Sequence, residues 1–255
     1  LLDNPRKVRE KIGVFLEPER SLYWRLTGEE NILRIAKLRN LKDMDYKKQM
    51  DNTLKRLNLY DDKDKLVMKY SKGMKVKLHL TTAFLGEPDI LLLDEPFAGL
   101  DHEAKMEAIK LIKEYNNKGK TVIICSNNLI EVQHLCSRVL LLKKGNQIIV
   151  GNPVNIVNKL PGEGIIEIKT YKLHEMISWI KDNADTMDVI NIWHDDESIT
   201  ILVNNLIHAI SYIRSNLRVE VLNISYREKN LTDIFNFYKD DKLEKDALLF
   251  EGSVE

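Results

Sequence analysis

Apolar and polar positions along this chain follow two recurring periods. Ile90, Leu91, Leu92 and Leu93 form an unbroken apolar run, which suits a strand buried on both faces of a parallel sheet. Asp94 and Glu95 follow it, and Pro96 ends it. Ile12 to Leu16 and Thr121 to Cys125 read as two further short strands. Between them the period changes to that of helices. Ile32, Ile35, Ala36 and Leu38 keep helical spacing through to Arg39, behind Thr27 and Glu30, which form a capping box. A second helix starts at Asp43 or Asp45, with Tyr46, Met50, Leu54 and Leu57 on one stripe. A third carries Leu78, Thr82 and Leu85 and closes at Gly86; a fourth carries Ala108, Leu111, Ile112 and Tyr115.

After Cys125 the pattern predicts a hairpin, Arg138 to Leu142 with Gln147 to Val150. A short helix follows, capped by Asn152 with Pro153 in its first turn. Pro161-Gly162-Glu163-Gly164 reads as a linker. Beyond it, Ile165 to Ile168 alternates as a strand. Leu173, Met176, Ile177 and Ile180 mark a helix, and Val189 to Trp193 and Ile199 to Val203 a strand pair. Leu206, Ile210 and Ile213 mark another helix, and Val219 to Ile224 a last strand. That order, β-α-β-β-α-β, is ferredoxin-like. Asn230 to Phe235 opens a terminal helix.

Composition narrows the function. At 255 residues, two domains with sizeable cores are expected. Lys plus Arg equals Asp plus Glu at 39 each, so no global charge argues for nucleic acid or an anionic membrane. No apolar run approaches the roughly 18 residues of a membrane span, so any membrane role is expected to come through a partner. Cys125 and Cys136 both fall in apolar contexts and read as two buried thiols.

The chemistry-bearing residues cluster around the Ile90 to Leu93 run. Ligands in open α/β sheets bind beyond the carboxyl ends of strands. Two acids there can divide phosphate hydrolysis, one holding Mg²⁺ and the other taking a proton from water. Upstream, Ser71-Lys72-Gly73-Met74 precedes the third helix. Ser71 can cap that helix, and Gly73 lets backbone approach an anion. Free N–H groups and the positive end of the helix dipole suit phosphate. Downstream, Gly99-Leu100-Asp101 turns into the fourth helix.

In this order, residues 6 to 155 resemble the nucleotide-binding domain of ABC transporters, and the accessory part resembles that of drug- or sodium-export types. Ser71 to Met74 resembles the signature motif, Ile90 to Glu95 the Walker B strand with its catalytic Glu, and Ala98 to Asp101 the D-loop. The resemblance implies an α/β, P-loop NTPase-like core over residues 1–160, with a helical subdomain at about 26–72. A small α+β ferredoxin-like accessory domain over residues 161–255 follows. It implies ATP and Mg²⁺ as cofactors, with Asp94 and Glu17 at the metal, and Glu95 and Asn127 in catalysis. Ser71, Lys72, Gly73, Met74 and Asp101 would meet nucleotide across a head-to-tail dimer. The implied partners are transmembrane permease subunits and a second ATP-binding subunit, identical or not. The implied location is the cytoplasmic face of the membrane; no nucleic acid is expected. Tyr23 and Trp24 fall where the family cradles a helix of the membrane subunit.

Some residues depart from the family pattern. Glu17 stands where the family has the Q-loop Gln, with Glu19 as its rival, Asn127 where it has a His, and Lys72 where it has a small residue. No Gly-x-x-x-x-Gly-Lys-Ser/Thr phosphate loop occurs. Gly119-Lys120-Thr121 lacks the first glycine, since Glu114 sits there, and it ends a helix instead of starting one. The expectation is an N-terminally truncated subunit, against a protein that lost the loop. An ATP-hydrolysing export subunit is the main functional expectation. The alternatives are a degenerate switch subunit that binds ATP, dimerises and hydrolyses slowly, or a soluble non-transport ABC ATPase.

Overall fold

The computed structural model describes residue 8 and residues 10–16, 21–41 and 43–239. Glu17 and Glu19 lie outside the described residues. The chain divides into two compact units, Leu1–Asn128 and Leu129–Glu255.

The first unit is built on three parallel strands in the order β1 (Ile12–Phe15), β2 (Ile90–Asp94), β3 (Thr121–Cys125). Phe15 pairs with Leu93, and Asp94 with Cys125. The central strand buries Leu91 and Leu93, as its apolar run requires. β3 lies at the edge of this sheet, and Cys125 is exposed there, so the expectation of two buried thiols does not hold. Helix α1 (Gly28–Leu38) begins with the expected capping box: the Glu30 N–H donates to Thr27, and the Thr27 N–H to Glu30. Together with α2 (Asp43–Arg56) and α3 (Lys72–Phe84) it encloses Ile32, Ala36, Met50, Leu54 and Leu78. Leu38, six positions after Ile32 and off that stripe, is 61% exposed. α3 also lies against the sheet. A Cβ on Gly13 would sit 2.2 Å from the Ala83 carbonyl oxygen and 2.6 Å from Leu91. Only glycine lets strand and helix backbones meet there. Helix α4 (His102–Asn117) connects β2 to β3.

The second unit contains α5 (Leu129–Leu135), the hairpin β4 (Val139–Lys143) and β5 (Asn146–Gly151), and α6 (Pro153–Asn158). A four-stranded antiparallel sheet follows: β6 (Gly164–Lys169), β7 (Val189–His194), β8 (Ser198–Val203) and β9 (Asn223–Arg227), ordered β7-β8-β6-β9. Helices α7 (Leu173–Asp182) and α8 (Leu206–Asn216) pack with Ile166, Ile168, Ile199 and Ile201. Ile165 and Leu202, of opposite parity, pack instead with Val139, Leu141, Ile156 and Leu160, and with Leu231 and Ile234 of α9 (Leu231–Lys239). β6 is therefore covered on both faces, not on alternate residues. This apolar cluster spans Pro161–Gly164. That is why the compact unit starts at Leu129, upstream of the linker. The last strand begins at Asn223, four residues after the expected Val219. The intervening segment is held otherwise: the Thr170 hydroxyl donates to the Glu220 carbonyl at 2.7 Å, and the Leu222 N–H to the Lys169 carbonyl at 2.8 Å.

Candidate active site

β2 delivers Asp94 and Glu95 to the tip of the first unit's sheet. The Glu95 N–H donates to the Cys125 carbonyl at 2.9 Å, which prolongs the parallel pairing by one bond. Glu95 then takes φ +47°, a left-handed conformation that is costly without glycine. It is held there by the turn that follows, in which the Ala98 N–H donates to the Glu95 carbonyl at 3.2 Å, and by burial of Phe97. The strained residue turns its carboxylate toward the segment after β3. The Asn127 N–H donates to Glu95 Oε1 at 2.6 Å, and the Ser126 hydroxyl to Oε2 at 3.2 Å. Ser126 in turn accepts the Asn128 N–H at 3.1 Å. Both carboxylate oxygens are thus oriented by β3's exit. Asp94 is exposed, and its carboxylate makes no hydrogen bond among the described residues.

Ser71 caps α3, accepting the Met74 N–H at 3.2 Å. The start of that helix rests on the turn leaving β2. A Cβ on Gly73 would lie 3.0 Å from the Gly99 carbonyl oxygen. Gly99, at φ +85°, lies under the aliphatic stem of Lys72, three of whose carbons would be 3.3 Å from an added Cβ. Lys72 therefore spends its stem on packing. Asp101 accepts the Ala104 N–H at 2.8 Å, capping α4, and stands 3.6 Å from Lys77 Nζ on α3. The Ala104 N–H and the Lys77 charge hold the Asp101 carboxyl below its ordinary range. The structure thus brings Glu95 to Asn127, Lys72 and Gly73 to Gly99, and Asp101 to Lys77. Glu95 does not enter the apolar interior.

A Mg²⁺ ion fits one exposed carboxylate. Mg²⁺ keeps several waters and binds through one or two carboxylates plus substrate phosphates. Among the described residues there is no group of three or more metal-ligating side chains, so a closed protein cage is not what this site offers.

Two contributors escape sequence reasoning. Ser126 reaches Glu95 only because β2 and β3 pair in this register. His79, in the middle of α3, is 6% exposed and stacks on Phe15 with ring centroids 4.8 Å apart. The Leu16 N–H donates to its Nε2 at 3.2 Å, so Nδ1 carries the proton and donates to Thr82 Oγ1 at 3.0 Å. Burial, with Arg39 and Arg34 nearby, pushes its pKa down to about 4. A lone histidine on an apolar helix gives no sign of such a bond.

Residues 2–98 match the family model described as ABC transporter. Over that stretch the chain is similar to ATP-binding proteins of ABC transporters. It is 27% identical over 240 residues to the linearmycin resistance ATP-binding protein LnrL of Bacillus subtilis (strain 168), covering 90% of this chain and 74% of that protein. It is 29% identical over 236 residues to the Nod factor export ATP-binding protein I of Rhizobium etli, covering 90% of this chain and 70% of that protein. Among solved structures, an ATP binding subunit of an ABC transporter superposes with a TM-score of 0.58 at 27% identity, over 62% of this chain and 66% of that one. The ABC ATPase fold accounts for the parallel strands of the first unit and the helices packed with them. Tyr23 and Trp24 are 55% and 59% exposed, and Met68, beside Trp24 through a 2.8 Å backbone bond, is 55% exposed.

Proposed function

We propose that this chain is the ATP-binding and ATP-hydrolysing subunit of an ABC-2-like exporter, powering transport through separate membrane subunits. The observation that carries the reading is Glu95, whose two carboxylate oxygens are fixed by Asn127 N–H and Ser126 at the tip of β2. A carboxylate so oriented can accept a proton from a water attacking a phosphate. Asp94 would hold Mg²⁺, which when bound neutralises phosphate charge; Glu17 would join it. Ser71 and the backbone at Gly73 would grip the γ-phosphate of ATP held by a second ATP-binding subunit, and Asp101, tied to Lys77, would couple the two sites. Dimer closure would then move the membrane subunits between access states. No helix among the described residues is long and apolar enough to cross a membrane. Exposed Tyr23, Trp24 and Met68 are the surface on which a helix of a membrane subunit would sit. Residues 161–255 would act as an accessory domain that supports or regulates the dimer.

ATP turnover by the intact protein with its membrane subunits tests this. Glu95→Gln is expected to lower turnover on the order of 10²–10³-fold while leaving ATP binding intact. Unchanged turnover would remove Glu95 from the chemistry. One observation favours a second reading. Asn127 meets Glu95 through its backbone, and its amide side chain can neither carry a charge nor transfer a proton. A slow switch subunit follows if Asn127→His speeds turnover.

A further inference from the structure

The bond from Leu16 to His79 ties together two elements that the proposed mechanism uses separately. β1 pairs with β2 up to Phe15 and Leu93; one step further, Leu16 would face Asp94. The pairing stops there. The N–H of Leu16 goes instead to a side chain 63 positions away on α3, the helix whose first turn carries Ser71 and Gly73. The imidazole is not a loose packing filler. Its ring stacks on Phe15, the last residue of β1, and its other nitrogen is held by Thr82, whose hydroxyl also donates to the His79 carbonyl at 2.7 Å. Ring plane, tautomer and acceptor direction are all set. Because the imidazole is neutral at ordinary pH, Nε2 keeps the lone pair the bond requires.

We propose that His79 is a positioning residue for ATP hydrolysis, holding the exit of β1 beside Asp94 and Glu95 to the signature helix α3, so that strand exit and helix move as one body. The proposal rests on the ATPase reading above. His79 touches no reacting atom. It acts through Leu16, by keeping that strand end off β2, so that the side of the acids facing β1 stays clear as α3 engages the opposite subunit's nucleotide.

The test compares two substitutions in the intact, partner-assembled protein. His79→Phe keeps a ring against Phe15 but removes the acceptor. His79→Gln loses the ring but carries an amide oxygen able to accept the Leu16 N–H. Positioning predicts that kcat in His79→Phe falls on the order of 10- to 100-fold with little change in KM for ATP. His79→Gln should recover most of that loss. A packing role predicts the reverse order. Retained kcat in His79→Phe, or equal loss in both variants, overturns the proposal. Hydrogen exchange at the Leu16 amide of the unmutated protein decides the matter even if a variant fails to fold. Protection is expected, and exchange at the rate of an open amide overturns the link. Absence of turnover in the unmutated protein overturns the ATPase reading instead, and leaves the link to be judged by Leu16 exchange.

Discussion

Lowering the pH from 7.5 to 5 should destabilise the first unit through one side chain. His79 is 6% exposed, and its pKa falls from 6.5 to about 4, through burial first and then the nearby Arg39 and Arg34 charges. The folded state therefore refuses a proton that the unfolded chain accepts. Above pH 6.5 neither state carries it, and stability is unaffected. As pH falls below 6.5 the unfolded state gains the proton and stability declines, until near pH 4 the folded state gains it too. At about 1.36 kcal/mol per pH unit, the full interval corresponds to roughly 3 kcal/mol, and pH 5 already takes about 2 kcal/mol. The imidazole is the group that titrates across this range. The assay is urea unfolding followed by circular dichroism at pH 7.5 and pH 5, on the protein and on His79→Gln. Subtracting the variant's pH dependence removes the contribution of the carboxylates. A difference of about 2 kcal/mol between the two pH dependences is expected. Identical pH dependence in both proteins would refute the reasoning, because it would mean that His79 is protonated as readily folded as unfolded.

Other perturbations reach different parts of the molecule. Gly13→Ala places a methyl 2.2 Å from the Ala83 carbonyl oxygen, and should cost about 3 kcal/mol in the same urea titration, since neither backbone can yield without parting α3 from the sheet. Asp233→Ala removes the acceptor for both terminal nitrogens of Arg227, at 2.7 and 2.9 Å, and for the Asn230 N–H at 2.8 Å. Arg227 keeps Glu167 and some solvent, so the loss should be near the lower end of a broken buried pair, about 3 kcal/mol, read by urea unfolding through tryptophan emission. Thr27→Ala removes the α1 cap and should cost about 1 kcal/mol, with faster hydrogen exchange confined to the first turn of that helix.

Much of the framework can be read directly from residue order. The apolar run before Asp94 and Glu95 marks a buried strand because only a strand covered on both faces tolerates four such residues in succession. Thr27 with Glu30, Ser71 and Asn152 mark helix starts because their side chains satisfy N–H groups within three residues, a strictly local interaction. The β-α-β-β-α-β order of the second unit follows from local periods in the same way. The exceptions lie where several elements share one core. β6 is buried on both faces because the β4–β5 hairpin covers the face its helices leave open, and nothing within β6 announces a distant hairpin.

Sequence alone determined which residue types stand at the strand tip, at the α3 cap and in the turn after β2, since each depends on neighbours a few positions away. Tertiary structure alone decided what those residues touch. Glu95 meets Ser126 and Asn127 through a strand pairing across more than 30 positions, and His79 takes the Leu16 N–H across 63. Such bonds depend on sheet register and on the seating of α3 against β1 through Gly13. Those are set by the packing of whole elements, so no local pattern of side chains can encode them.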